Sequence, residues 1–69
     1  MFDTMPYTID TPTDQYTVIG WTHALEAAEA EAFGQFGGPT FGGYAEIKVL
    51  ECDTVVARFI RDGLTITRE

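Results

Sequence analysis

The chain has one cysteine, one histidine and one lysine among its 69 residues, and each scarcity excludes something. A lone Cys52 forms no internal disulfide and supplies no cysteine-rich metal site. One His and one Cys do not assemble a nucleophile, a base and an oxyanion hole. No catalytic residue, cofactor or metal site is therefore expected, and the chain is not expected to be an enzyme. Long apolar runs are missing too: the longest are a few residues, such as Val55-Val56-Ala57, against the roughly 20 needed to cross a bilayer. The opening Met1-Phe2-Asp3-Thr4-Met5-Pro6 has neither the basic region nor the apolar core of a secretory signal. A reducing, cytoplasmic location without membrane association is the expectation.

The most telling absence is of positive charge. The first 47 residues contain no Lys or Arg but carry Asp3, Asp10, Asp14, Glu26, Glu29, Glu31 and Glu46. The last 22 balance Lys48, Arg58, Arg61 and Arg68 against Glu51, Asp53, Asp62 and Glu69, so the net charge of −7 resides in the first 47 residues. Affinity for nucleic acid comes largely from neutralising phosphates, which makes direct nucleic-acid binding a poor fit. A protein partner with a basic surface suits this distribution better.

What is present is enough for one domain. Hydrophobic content is 45% and aromatic content 13%, too apolar for a disordered chain, while 69 residues leave no material for a second core. Residues 1–69 are read as one domain, with a core over 15–69. Residues 1–14 read equally as a loose segment or as a short edge strand at Tyr7-Thr8-Ile9, turned by Thr11-Pro12-Thr13-Asp14. Gln15 to Trp21 is β-branched and aromatic and reads as a strand. Thr22 offers a helix N-cap, and His23 to about Phe33 is almost all Ala, Glu and Leu, strong helix formers. Leu25, Ala28, Ala32 and Phe36 fall on one stripe if the helix reaches that far, although Gly34 ends it near Phe33. Residues 34–43 hold five glycines and a proline, a loop carrying Phe36 and Phe41.

The C-terminal third alternates like strands: Ala45, Ile47 and Val49, then Val55, Ala57 and Phe59. A three-residue loop at Glu51-Cys52-Asp53, with Asp53 left-handed, pairs Val49 with Val55, Ile47 with Ala57 and Ala45 with Phe59, and sets Glu46 opposite Arg58. A two-residue loop would put Arg58 opposite Ile47 and split the apolar set. Asp62-Gly63 reads as a type I′ hairpin turn pairing Phe59 with Ile66 and Arg61 with Leu64, which brings Leu64 and Ile66 to the same inward face. The expected fold is two-layer α+β: one helix on a mostly antiparallel sheet of three to five strands, in the order β-α-β-β-β, with or without an extra N-terminal strand. The reverse face would show Tyr44, Lys48, Leu50, Val56, Ile60 and Thr65.

Candidate sites divide between two surfaces. Glu26, Glu29 and Glu31 have no Lys to pair with in the helix. They form either a solubilising face or, with Asp10 and Asp14, an acidic partner-binding surface. The glycine loop lacks the Lys-Ser/Thr ending of a phosphate-binding loop and follows the helix instead of leading into it. It is a plain connector or a partner-binding loop anchored by Phe36 or Phe41, aromatics being the usual hot spots. Tyr44, Leu50, Val56 and Ile60 are either the seam of a homodimer or the floor beneath the N-terminal segment. His23 and Glu26 have a metal-pair spacing but no further ligands. Cys52, between Glu51 and Asp53, is flanked by charges that work against its thiolate.

The stretches Tyr16-Thr17-Val18, Leu25-Glu26-Ala27-Ala28, and Ile47-Lys48-Val49 followed by Val55-Val56-Ala57 give residues 15–67 a layout similar to that of several small phage-encoded accessory proteins, including some anti-CRISPR proteins. The single lysine and the Ala, Glu and Arg usage also resemble a high-GC bacterial or phage source. The resemblance implies a strand-helix-hairpin fold and a protein-binding inhibitor. No functional residue is carried over by it. The functional expectation is a small acidic modulator that binds a basic surface of a partner, such as a nucleic-acid-binding complex; the alternative is a homo-oligomeric accessory subunit.

Overall fold

Alternation of apolar and polar residues, with period two, organises five segments of this chain into strands. In a computed structural model that describes residues 4–37 and 42–69, β1 spans Pro6–Asp10, β2 Gln15–Ile19, β3 Glu46–Glu51, β4 Thr54–Asp62 and β5 Thr65–Arg68, with one helix, α1, at Trp21–Phe33. The strands form one antiparallel sheet in the order β2-β1-β3-β4-β5. The N-terminal segment is therefore a strand, and not at the edge: β1 lies between β2 and β3, with Ile9 opposite both Tyr16 and Val49.

Alternation decides the buried face. Tyr7 and Ile9 of β1, Ile47 and Val49 of β3, and Ala57 and Phe59 of β4 all point toward α1 and are buried. The helix presents Ala24, Ala28 and Ala32 to them, all fully buried, and these small side chains let its backbone lie close to the sheet. Burying Ile9, Ile47 and Val49 completely contributes about 1.5–3 kcal/mol each relative to exposure.

The helix starts earlier than Thr22. Gly20 is the N-cap, at φ 97°, a conformation that costs glycine little, and it makes no side-chain capping bond. Its carbonyl accepts the Ala24 amide at 2.9 Å, so β2 turns directly into α1 and Trp21 is the first helical residue. The Trp21 ring packs on Tyr7 at a centroid distance of 5.2 Å. At the other end Gly34 is left-handed, with its amide bonding Glu31 O and the Gln35 amide bonding Ala30 O, the Schellman arrangement. The helix stops there, which leaves Phe36 off the apolar stripe and 64% exposed.

Both C-terminal hairpins depart from the expected registers. The β3–β4 turn is a two-residue loop, Cys52 (φ 51°) and Asp53 (φ 68°), closed by Glu51 opposite Thr54. The split of the apolar set that such a loop would cause is prevented by a bulge. Leu50 pairs with Val55 but Val49 pairs with Ala57, leaving Val56 without an opposite number. One extra residue shifts the phase back, so Ile47 faces Phe59 and the inward set survives without Val55. Glu46 sits opposite Ile60, diagonal to Arg58, and still reaches it at 3.4 Å. In the next hairpin the loop is Gly63-Leu64, closed by Asp62 opposite Thr65. Leu64 is therefore at the tip and 90% exposed instead of inward, while Ile66 packs against the core.

Candidate functional site

The β1–β2 turn is built by Thr11. Its amide and hydroxyl both bond Asp14 O at 2.9 Å, and its Oγ1 accepts the Asp14 amide at 2.9 Å and the Thr13 amide at 3.3 Å. This turn brings the Asp14 carboxylate toward Glu31, in the last turn of α1. Glu31's carboxyl is raised above its ordinary value, first by burial and then by Asp14. Tyr16, on β2, feels both: burial, then Glu31, then Asp14 push its phenol up to about 12. Its hydroxyl is buried without a hydrogen-bond partner among the described residues. A negative charge at a helix C-terminus also opposes the macrodipole, so three unfavourable influences converge on Glu31.

The acidic set is thus split. Glu26 and Glu29 are exposed on α1, and Glu31 joins Asp14 at its C-terminal end. Asp10 lies on the opposite face of the sheet, accepting Gln15 Nε2 at 3.0 Å and standing beside Lys48. Phe36 follows the helix cap, exposed; Phe41 lies outside the described residues.

The reverse face is less continuous than the alternation suggested. Gln15, Asp10, Lys48 and Arg58 form a polar row across β2, β1, β3 and β4 that ends on Glu69, the residue after β5. Arg58 Nη2 bonds Glu69 Oε1 at 2.5 Å within it. This row separates Leu50 and Val56 from Ile60. Tyr44 leaves the patch altogether: it packs against the helix-side core, and its hydroxyl shares a 2.7 Å hydrogen bond with Thr13 Oγ1.

Two features were not legible beforehand. Arg61 reaches from β4 to three backbone carbonyls: Gly63 O at 2.8 Å, Ala32 O at 3.1 Å and Gly42 O. It ties the end of the helix, the glycine loop and the last hairpin together, and it supplies a cation at the helix C-terminus that the helix sequence lacks. The second is a groove of about 410 Å3 beside α1, lined by Leu25, Phe33, Phe59 and Ile66 and rimmed by Glu29 and Arg68. Both depend on which strands neighbour the helix, which local pattern does not reveal.

Among the described residues no group of three or more His, Cys, Asp or Glu could hold a metal ion, and no helix is long and apolar enough to cross a membrane. His23 is exposed, with Nδ1 3.3 Å from Ile19 O, and Cys52 is exposed in its turn. Compared with protein-family models, curated proteins and solved structures, the chain matches none.

Proposed function

We propose that this protein is a small, non-catalytic modulator that uses an acidic surface to bind a basic surface on a partner protein. The observation that carries the reading is the Glu31–Asp14 pair. Partial burial and the charge of Asp14 both disfavour an ionised Glu31 at the negative end of the helix, an influence that an approaching cation relieves. Glu26 and Glu29 extend the same charge along the exposed side of α1, where no lysine or arginine of the helix neutralises them. Phe36, exposed at the helix end, adds an aromatic anchor beside it. A nucleic-acid-binding complex is the partner class whose basic surface this charge fits, and the sequence's resemblance in layout to small phage inhibitors supports a phage-encoded protein acting in the host cytoplasm.

The test is capture from host lysate with the wild-type chain and a Glu26→Lys/Glu29→Lys/Glu31→Lys variant, each washed at low salt and at about 0.5 M, where the Debye length falls to a few ångströms. A stoichiometric basic protein retained by wild type, lost at high salt and absent with the variant is the expected result. Equal capture by both chains would dismiss the acidic surface.

A further inference from the structure

We propose that β5 is a self-association edge, through which a second copy of this chain pairs antiparallel to form one continuous ten-stranded sheet. The proposal goes beyond the acidic-surface reading and does not depend on it. Its first support is a hydrogen-bonding edge that no strand among the described residues uses. Arg58 and Glu69 exchange both of their backbone bonds, at 3.2 and 2.7 Å. Antiparallel pairs alternate between bonded and non-bonded, so Thr67 and Thr65 also turn their backbone groups toward β4. Ile66 and Arg68 therefore turn theirs outward, and β5 ends the sheet.

The second support is a knob and a hole on the same strand. The helix packs on β1 to β4, leaving the groove of Leu25, Phe33, Phe59 and Ile66 open beside β5. Leu64, 90% exposed, immediately precedes β5 and has the same parity as Ile66 and Arg68. A two-fold interface is self-complementary. With Ile66 opposite Ile66 of the second copy, Leu64 falls opposite Arg68 of that copy, at the rim of its groove. Each copy then contributes one leucine to the other.

Charge selects both the edge and the occupant. The β4–β5 hairpin carries Arg58, Arg61 and Arg68 against Asp62 and Glu69, so it is not acidic although the chain as a whole carries −7. Two copies can meet there without strong repulsion. The opposite edge, β2, has Asp14 and Glu31 beside it, and two such edges repel. The reverse face is crossed by the polar row. A four-residue edge with one inserted side chain is smaller than a standard interface, so a dissociation constant on the order of 10 μM is expected.

Sedimentation equilibrium of the full chain, from about 1 to 500 μM at low salt and about 0.5 M salt, reads the prediction. Wild type is expected to pass from 7.6 kDa to twice that mass, and to associate more tightly at high salt as the repulsion between acidic copies is screened. Leu64→Asp changes a side chain that is free in the monomer and should raise the dissociation constant at least about tenfold. Arg68→Pro, which removes an outward amide but no bond to β4, should do the same while circular dichroism stays unchanged. A wild-type monomer throughout the range overturns the proposal, as does a dimer indifferent to Leu64→Asp. So does one released by Val56→Lys/Ile60→Lys instead, which would move the interface to the reverse face.

Discussion

Replacing Gly43 by alanine probes the joint between the helix end, the glycine loop and the last hairpin. Gly43 has φ +78°, and a Cβ added there would lie 2.5 Å from Arg61 Nη1 and 2.8 Å from the Ala32 carbonyl carbon, closer still to that carbonyl's oxygen. The left-handed backbone alone costs a residue with a Cβ about 1–2 kcal/mol. The clash adds more, because the loop must retreat and pull Arg61 from Ala32 O, a partly buried charged hydrogen bond of about 1.5–3 kcal/mol. The total, about 3–5 kcal/mol, is comparable with the entire stability of a domain this small. Gly37→Ala is the control: its φ is +89°, but nothing lies within 4 Å of the added methyl, so only the backbone term remains. Urea denaturation followed by the fluorescence of Trp21 measures both variants. If Gly43→Ala costs no more than Gly37→Ala to within about 1 kcal/mol, the joint is not a stabilising contact and Arg61 is incidental.

Three further outcomes follow from the same structure. Because Glu31's carboxyl is raised in the folded state, folding favours its protonated form. The stability this contributes is complete below the ordinary glutamate value and disappears as pH rises through the raised one; Glu31→Gln should therefore be more stable than wild type near pH 7 and nearly equal to it near pH 4, by urea melts at each pH. A variant no more stable at pH 7 would refute the charge crowding. Tyr16, at about 12 instead of 10.0, should hold its proton while the unfolded chain loses its own, so stability declines between those pH values; ultraviolet difference titration should find a phenol ionising last, and its loss in Tyr16→Phe identifies it. Deleting Val56 removes the residue with no opposite number and leaves a two-residue hairpin in which Ala57 still faces Val49. The deletion should fold, within about 2 kcal/mol of wild type, and an unfolded product by circular dichroism would mean that the bulge is needed for sheet twist.

The inward face was legible in the sequence because period-two alternation is a local property: Ile47, Val49, Ala57 and Phe59 needed only the order of residues to declare themselves. The single helix was legible for the same reason, its Ala- and Glu-rich run closed by Gly34. What was not legible depends on geometry beyond the pattern. A two-residue turn followed by a bulge and a three-residue turn without one both keep Ile47 and Ala57 inside, and differ in where Val55 and Arg58 go. Asp62-Gly63 has the composition of a turn, yet the chain turns one residue later, sending Leu64 to the tip. The acidic residues were visible as a set, but only the strand order separates Asp10, behind the sheet, from Asp14 beside Glu31. Arg61 looked like one more strand cation; its three carbonyl partners come from residues distant in the chain.

The place of β1 in the middle of the sheet has a consequence for how the molecule forms. Ile9 meets Val49 across the β1–β3 pair, so a central ladder joins segments about forty residues apart. The β3–β4–β5 meander closes through two short local turns and needs nothing from upstream. Loop-closure entropy makes the distant pairing the slow one. As the chain emerges during synthesis, the β1–β2 hairpin and the helix are therefore complete long before they have a surface to settle on. The last third of the chain supplies that surface, and folding becomes cooperative only when β3 is in reach of β1.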